Sequence, residues 1–196
     1  MFHIIGVDHA CQSVNAKTLN ISSRKREFAQ FLKDAIRRIS PTLVAEEHHG
    51  DWLGSGVSIA QALALEARVE HLFCDPGKAE RALIGYRNLC FLTQRLRVYL
   101  PNLSDRELVV RATAIEMARE FPKREEFWLK SLRCHDSSRT IFVCGDAHVD
   151  GFTKRLADDG YSTQILIRGM GMGEYDRKLI AEAQLLLSAE PLVDIS

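Results

Sequence analysis

The chain has 196 residues, of which 46% are hydrophobic and 27% are charged. This length can bury a full hydrophobic core in one domain without disulfides or a structural metal. Because 26 basic residues balance 26 acidic ones, the charge excludes a global attraction for nucleic acid or anionic membranes. We therefore expect a single domain over residues 1–196, with neither nucleic acid nor membrane as a partner.

Apolar runs and cap residues predict alternating strands and helices in the first part of the chain. A strand over 2–5 runs into Gly6-Val7-Asp8-His9. The elements predicted next are a helix over 24–39, a strand over 42–45, a helix over 58–69 and a strand over 71–74. The turn Asp75-Pro76-Gly77 ends this part.

A helical insertion is predicted over 78–133. It contains a mostly helical segment over 78–100, a helix that starts at a capping box of Ser104 and Glu107 and ends near Phe121-Pro122, and a shorter helical piece over 123–133. Beyond it the pattern predicts a strand over 140–144, a helix over 151–158, a strand over 163–168 and a last helix through 187.

This alternation is typical of an α/β fold, with a mainly parallel central sheet of about five strands flanked by helices. In such sheets, ligands bind outside the carboxyl ends of the strands. The ionisable residues that follow the predicted strands are Asp8, His9, Glu46, Glu47, Asp75, Asp146 and His148. We expect them to meet at one edge of the sheet.

Two copies of a GxxH pattern follow two of these strands, Gly6 to His9 and Gly145 to His148. In each, a glycine permits a sharp turn off the strand end, and an imidazole follows three residues later. Two such turns can place both histidines over one site.

Imidazoles and carboxylates from separate strands are ligands suited to zinc, manganese, cobalt or iron, and a site with an open position activates water for hydrolysis. Side chains alternate along a strand, so only one of Glu46 and Glu47 is expected to face this site unless the strand has already ended. His48 and His49 are weaker candidates, and Asp75 fits a turn equally well.

Five features, taken together and in chain order, resemble the TraB/Tiki group: the first GxxH turn, the strand ending in glutamate, the strand ending in aspartate before a helix with arginine, the Arg-Glu-led helix at Arg124, and the strand entering the second GxxH. This group lies within a superfamily that includes the erythromycin esterases and the haem-binding ChaN proteins. The resemblance spans about residues 2–160. It implies that His9 and His148 are the family's two histidines and that Arg124 is its arginine. The family's glutamate would be Glu47, by its distance from Pro41, with Glu46 as the fallback.

The resemblance implies a metal-dependent hydrolase acting on an ester, amide or peptide bond. His9, His148 and Glu47 would hold the divalent metal, and Arg124 would stabilise negative charge on the reacting group. Asp8, Asp146 and Asp75 would be outer-sphere or alternative ligands. Asp75 and Arg81 also look like the family's aspartate and arginine after the third strand. The alternative is a non-catalytic haem- or metal-binding protein of ChaN type.

The cysteines and the first residues of the chain predict the cellular compartment of the protein. Five cysteines without a CxxC spacing favour reduced thiols, and the first apolar run is too short for a signal peptide. We expect a cytoplasmic protein whose partner is a small-molecule or peptide substrate, and we leave a homo-oligomer open.

Overall fold

A computed structural model describes residues 1–12, 22–49, 57–135 and 139–189. Its centre is a five-stranded, all-parallel sheet in the order β3-β2-β4-β1-β5. The strands are β1 (Phe2–Val7), β2 (Leu43–Glu46), β3 (Glu70–Phe73), β4 (Thr140–Gly145) and β5 (Thr163–Met170). The predicted α/β class with a parallel central sheet is confirmed.

The helices of the described ranges complete the alternation. They are α1 (His9–Gln12), α2 (Ser23–Ile39), α3 (Ile59–Ala67), α4 (Lys78–Leu83), α5 (Leu89–Tyr99), α6 (Asp105–Ile115), α7 (Phe121–Leu132), α8 (Val149–Asp158) and α9 (Glu174–Ala189). Side chains cap several of them, because the first backbone N–H groups of a helix need acceptors. Ser22 caps α2, Ser58 caps α3, and Ser104 with Glu107 forms the predicted capping box of α6.

Both faces of the sheet are covered, which explains why β1, β2 and β4 are buried along their whole length. On one face, Trp128 of α7 and Phe152 of α8 pack with Phe142 of β4. On the other, Phe28 and Leu32 of α2 pack with the opposite side of the strands. This double cover holds the strand ends in register.

The chain divides into two compact units. The first contains Met1–Gly77 and Glu125–Met172 and includes the whole sheet. The second contains Lys78–Arg124 and Gly173–Ser196, and its core is built from side chains of α5 and α6, among them Leu92, Leu96 and Leu108. The helices between β3 and β4 agree with the predicted insertion, although the second unit ends at Arg124 and also takes in α9.

The insertion differs in detail from the sequence-based prediction. The segment predicted over 78–100 divides into α4 and α5, with Gly85 in the left-handed region at φ +64° between them. The helix predicted to end near Phe121-Pro122 instead passes from α6 through a π-helical turn, Glu116–Glu120, into α7. Pro122 lies just after this π-helical turn, where the i→i−4 ladder is already interrupted and the missing proline N–H breaks no regular helical bond.

None of the five cysteines forms a disulfide. None of the helices within the described ranges is both long enough and apolar enough to cross a bilayer.

Candidate functional site

The carboxyl edge of the sheet brings together three of the predicted site residues. His9 follows β1, Glu47 follows β2, and His148 follows β4 in a 3-10 turn over Asp146–His148. All three belong to the first unit. Because β1 and β2 each pair with β4 in parallel register, their ends converge at this edge.

Glu47 lies at the centre of the group, fully buried at its side chain. Its Oε2 accepts a hydrogen bond of 2.7 Å from the backbone N–H of Gly145, the first residue of the second GxxH pattern. Its Oε1 lies 3.5 Å from Nε2 of His9 and 3.5 Å from Nε2 of His148. One carboxylate oxygen is therefore shared by both histidines.

His148 is held in place from its other side. Its Nδ1 lies 2.9 Å from Oε1 of Glu125, and its ring meets the Trp128 ring edge-on with centroids 4.8 Å apart. Trp128 in turn donates its indole N–H to Asp75 over 3.1 Å. Asp75, predicted as a turn or site residue, thus acts on the group through Trp128 and fixes the wall against which His148 rests.

His9 forms the open side of the group, since its side chain is 57% exposed while that of His148 is 1% exposed. Its Nδ1 lies 3.0 Å from Oε1 of Gln12, one turn further along α1. Gly145 leaves room for it, because a Cβ at that position would approach Nε2 of His9 to 2.6 Å. The glycine is needed here for close approach and not for an unusual φ, which is −59°.

The hydrogen-bond partners of the two imidazoles bear on whether each Nε2 has a lone pair available for a cation. In the neutral tautomer of His148 that donates from Nδ1 to the Glu125 carboxylate, Nε2 carries the lone pair. The neutral tautomer of His9 that donates from Nδ1 to Gln12 presents its Nε2 in the same way. In this protonation state two imidazole lone pairs face one carboxylate oxygen, an arrangement that a cation among them would stabilise.

The distances agree with the same chemistry. Two ligands of one tetrahedral zinc ion lie about 3.4 Å apart when each ligand bond is about 2.1 Å, close to the two 3.5 Å separations. In the described ranges, however, no group of three or more His, Cys, Asp or Glu side chains is placed so that it could hold a metal ion. The donor atoms are of the types that bind zinc, manganese, cobalt or iron, and binding would require the two imidazoles to close on a common point.

Glu46 faces another part of the first unit. The Ser58 hydroxyl donates to its Oε1, and Nε2 of His71 lies 2.8 Å from the same oxygen. Glu46 is completely buried, so these contacts serve the cap of α3 and the strand pair β2–β3. The neighbouring His48 and His49 are also buried, with Nδ1 of His48 at 2.8 Å from the carbonyl oxygen of His49.

The two aspartates next to the histidines make local contacts. Asp8 accepts a hydrogen bond from the backbone N–H of Ala10 and so starts α1. Asp146 accepts from the N–H of Gly169 over 2.7 Å and pairs with Arg168. Their role as outer-sphere or alternative metal ligands stays a prediction.

Arg124 belongs to the second unit and is 7% exposed. Its guanidinium lies over the ring of Tyr86, 5.5 Å from the centroid. Arg81 lies over the same ring at 5.2 Å, and the Tyr86 hydroxyl donates to Glu116 over 2.7 Å. Burial is the main cause that raises the pKa of both Tyr86 and Glu116, and the charge of Arg124 opposes it. The predicted action of Arg124 on a reacting group stays a prediction.

Sequence reasoning missed the partners that orient the two histidines, Gln12 and Glu125. The signal for Glu125 was present in the Arg124-Glu125 pair that opens the helical motif, but only its arginine was singled out. Gln12 could have been found from its i, i+3 spacing to His9, which places both on one face of a helical turn.

Comparisons of the chain with family models, with curated proteins and with solved structures give no match.

Proposed function

We propose that this chain is a metal-dependent hydrolase in which His9, Glu47 and His148 hold a divalent cation of manganese, cobalt, zinc or iron. One observation carries the proposal: the two Nε2 atoms each lie 3.5 Å from Oε1 of Glu47, while Nδ1 of His148 lies 2.9 Å from a carboxylate oxygen of Glu125, which leaves Nε2 as the ligand atom. Two His nitrogens and one carboxylate oxygen are a common ligand set of catalytic zinc, with a fourth position left for water or substrate.

The burial of each site residue indicates the role it would have in the reaction. Glu47 is fixed through Oε2 to the Gly145 N–H, which suits a ligand better than a mobile general base. His148 is buried against Trp128 and cannot turn away, whereas the exposed His9 marks the side from which an ester, amide or peptide bond would enter. A divalent ion held there supplies Lewis acidity, which lowers the pKa of a coordinated water and polarises a carbonyl.

The alternative is a haem- or metal-binding protein without turnover. Two axial histidines of one haem lie on opposite faces of the porphyrin plane. Here both nitrogens converge on an oxygen of the buried, hydrogen-bonded Glu47, so a porphyrin between them would have to displace that carboxylate. The observation therefore favours a small cation.

Elemental analysis of untagged protein tests the proposal. We expect about one equivalent of a divalent transition metal in the parent chain, and a sharp loss in His9→Ala, His148→Ala and Glu47→Gln. His135→Ala is the matched control, because His135 also pairs with a glutamate, Glu70, at 3.2 Å but lies outside the site. Circular dichroism checks that each variant remains folded.

Turnover is then measured on chromogenic esters, amides and peptides with and without the recovered metal. Equal metal content in the parent chain and in folded His9→Ala and His148→Ala variants would overturn the shared site. Metal without turnover, or a Soret band on addition of haem, would favour the binding protein instead.

A further inference from the structure

A groove lies at the opposite end of the sheet from His9, where the strands begin. It has a volume of about 630 Å³ and is lined by residues of α2, β1, β5 and the segment before β4. All its lining residues belong to the first unit. The groove is thus separated from the candidate metal site by the length of β1.

The charged side chains of the groove are basic. Arg38 comes from the last turn of α2, and Arg139 directly precedes β4. Of the described residues that line the groove, none is acidic. Within the same described ranges, no carboxylate forms an ion pair with Arg38 or Arg139. Two arginines therefore line the groove without an ion-pair partner in the described part of the chain.

His3 supplies a buried polar group at the same place. It is 6% exposed, and among the described residues its Nδ1 has no hydrogen-bond partner. Its Cα pairs in register with that of Gln164, which also lines the groove. Burial lowers the pKa of His3, a hydrogen bond with the Gln164 side chain opposes this, and the charge of Arg38 adds to the lowering. A buried polar atom without a partner costs free energy, and an oxygen of a bound ligand would satisfy it.

The remaining walls are apolar. Ile39, Ile165 and Leu166 line the groove, and Ile165 is 43% exposed. The basic side chains would bind the charged end of a ligand, and this apolar wall would contact its body. Guanidinium groups suit phosphate and carboxylate because they donate paired hydrogen bonds.

We propose that this groove is a binding site for a small organic oxyanion, a phosphate or carboxylate with an apolar body, which Arg38, Arg139 and His3 recognise. A basic residue in the last turn of α2 would stabilise the negative end of the helix dipole. Arg37 is in the same turn and meets that need as well as Arg38 does. The dipole does not account for Arg139 or for the unsatisfied nitrogen of His3. The site is independent of the proposed metal chemistry.

The proposal is tested by titrating the protein with phenyl phosphate, benzoate, inorganic phosphate and phenol at about physiological salt. Calorimetry and NMR of the His3 ring detect binding. We expect saturable binding of phenyl phosphate or benzoate, and the stronger of the two identifies the oxyanion. Inorganic phosphate should bind more weakly because it lacks the apolar body, and phenol should not bind.

Arg38→Gln and Arg139→Gln should each weaken binding by about tenfold, the scale of a lost charge-assisted hydrogen bond. Arg37→Gln is the matched control, since Arg37 is the neighbouring arginine, pairs with Asp34 at 3.7 Å and does not line the groove; it should change affinity by less than twofold.

His148→Ala should bind the oxyanion as the parent does, which separates this site from the metal site. No saturable binding, an equal loss in Arg37→Gln and Arg38→Gln, or loss of binding in His148→Ala would each overturn the proposal.

Discussion

Nδ1 of His148 lies 2.9 Å from a carboxylate oxygen of Glu125, and both groups are buried. The pair comes from the 3-10 turn after β4 and from α7, 23 residues apart. A carboxylate in this position fixes the tautomer and the direction of the imidazole and increases its basicity as a ligand.

Glu125→Ala should therefore lower metal affinity by about 10–100-fold while His9 and Glu47 remain in place. Competition with a chromogenic chelator measures this affinity. Glu126→Ala is the matched control, because Glu126 is the next residue and pairs with Arg155 and Lys130. Glu125→Gln, which still accepts from Nδ1, should fall between the parent and Glu125→Ala.

Glu47→Gln should abolish metal binding, whereas Glu46→Gln should leave it nearly unchanged. The reason is that Oε1 of Glu47 faces both histidines, while Glu46 accepts from Ser58 and His71. Elemental analysis and thermal unfolding distinguish the two effects, since Glu46→Gln should lower Tm instead. A larger metal loss in Glu46→Gln than in Glu47→Gln would contradict this assignment.

Gly145→Ala should weaken metal binding by at least tenfold with little loss of stability. The backbone φ of −59° allows alanine, but the new Cβ would lie 2.6 Å from Nε2 of His9, so the exposed imidazole has to turn away. In a double-mutant cycle with His9→Ala the two losses should not add, because both remove the same ligand. Additive losses would mean that Gly145→Ala weakens metal binding by a route other than displacement of His9.

Arg124→Lys distinguishes the predicted action on the reacting group from a structural role. The first predicts unchanged metal content and turnover reduced by about 10²-fold. The second follows from the packing over Tyr86 and predicts a lower Tm with turnover changed by less than about twofold. Steady-state kinetics and thermal unfolding of one sample separate the two outcomes.

Stability should depend on pH through Glu116. Burial raises the pKa of this carboxyl above its usual 4.5, so the folded state keeps the proton to a higher pH than the unfolded state. Between pH 4.5 and the raised pKa the folded state binds more protons, and the free energy of unfolding falls as pH rises.

Glu116→Gln removes this titration while its amide oxygen still accepts from Tyr86. The Tm of Glu116→Gln relative to the parent should therefore increase from pH 4.5 to pH 7. Glu80→Gln, an exposed position of the same unit, is the control and should show a constant difference. A constant difference for Glu116→Gln would mean that Glu116 does not titrate abnormally.

Local sequence was sufficient to predict the helices that begin at side-chain caps. Ser58 and the Ser104-Glu107 box mark helix starts that the structure confirms. It was insufficient across Phe121-Pro122, where a π-helical turn carries the chain into α7. In the sequence, a proline that follows a π-helical turn inside a continuous helix resembles one that ends a helix, and only the tertiary structure distinguishes the two.

By itself the sequence determined the parallel α/β sheet and the set of residues that follow its strands, because strand patterns and turn residues are local properties. Only the tertiary structure decided that Glu47 and not Glu46 faces the histidines, because that depends on where β2 ends against β4. It also decided that Glu125 reaches His148 and that His3 lies buried beside Arg38 and Arg139. Those neighbours are distant in sequence, and no local pattern encodes which side chains the packed sheet brings within hydrogen-bond distance.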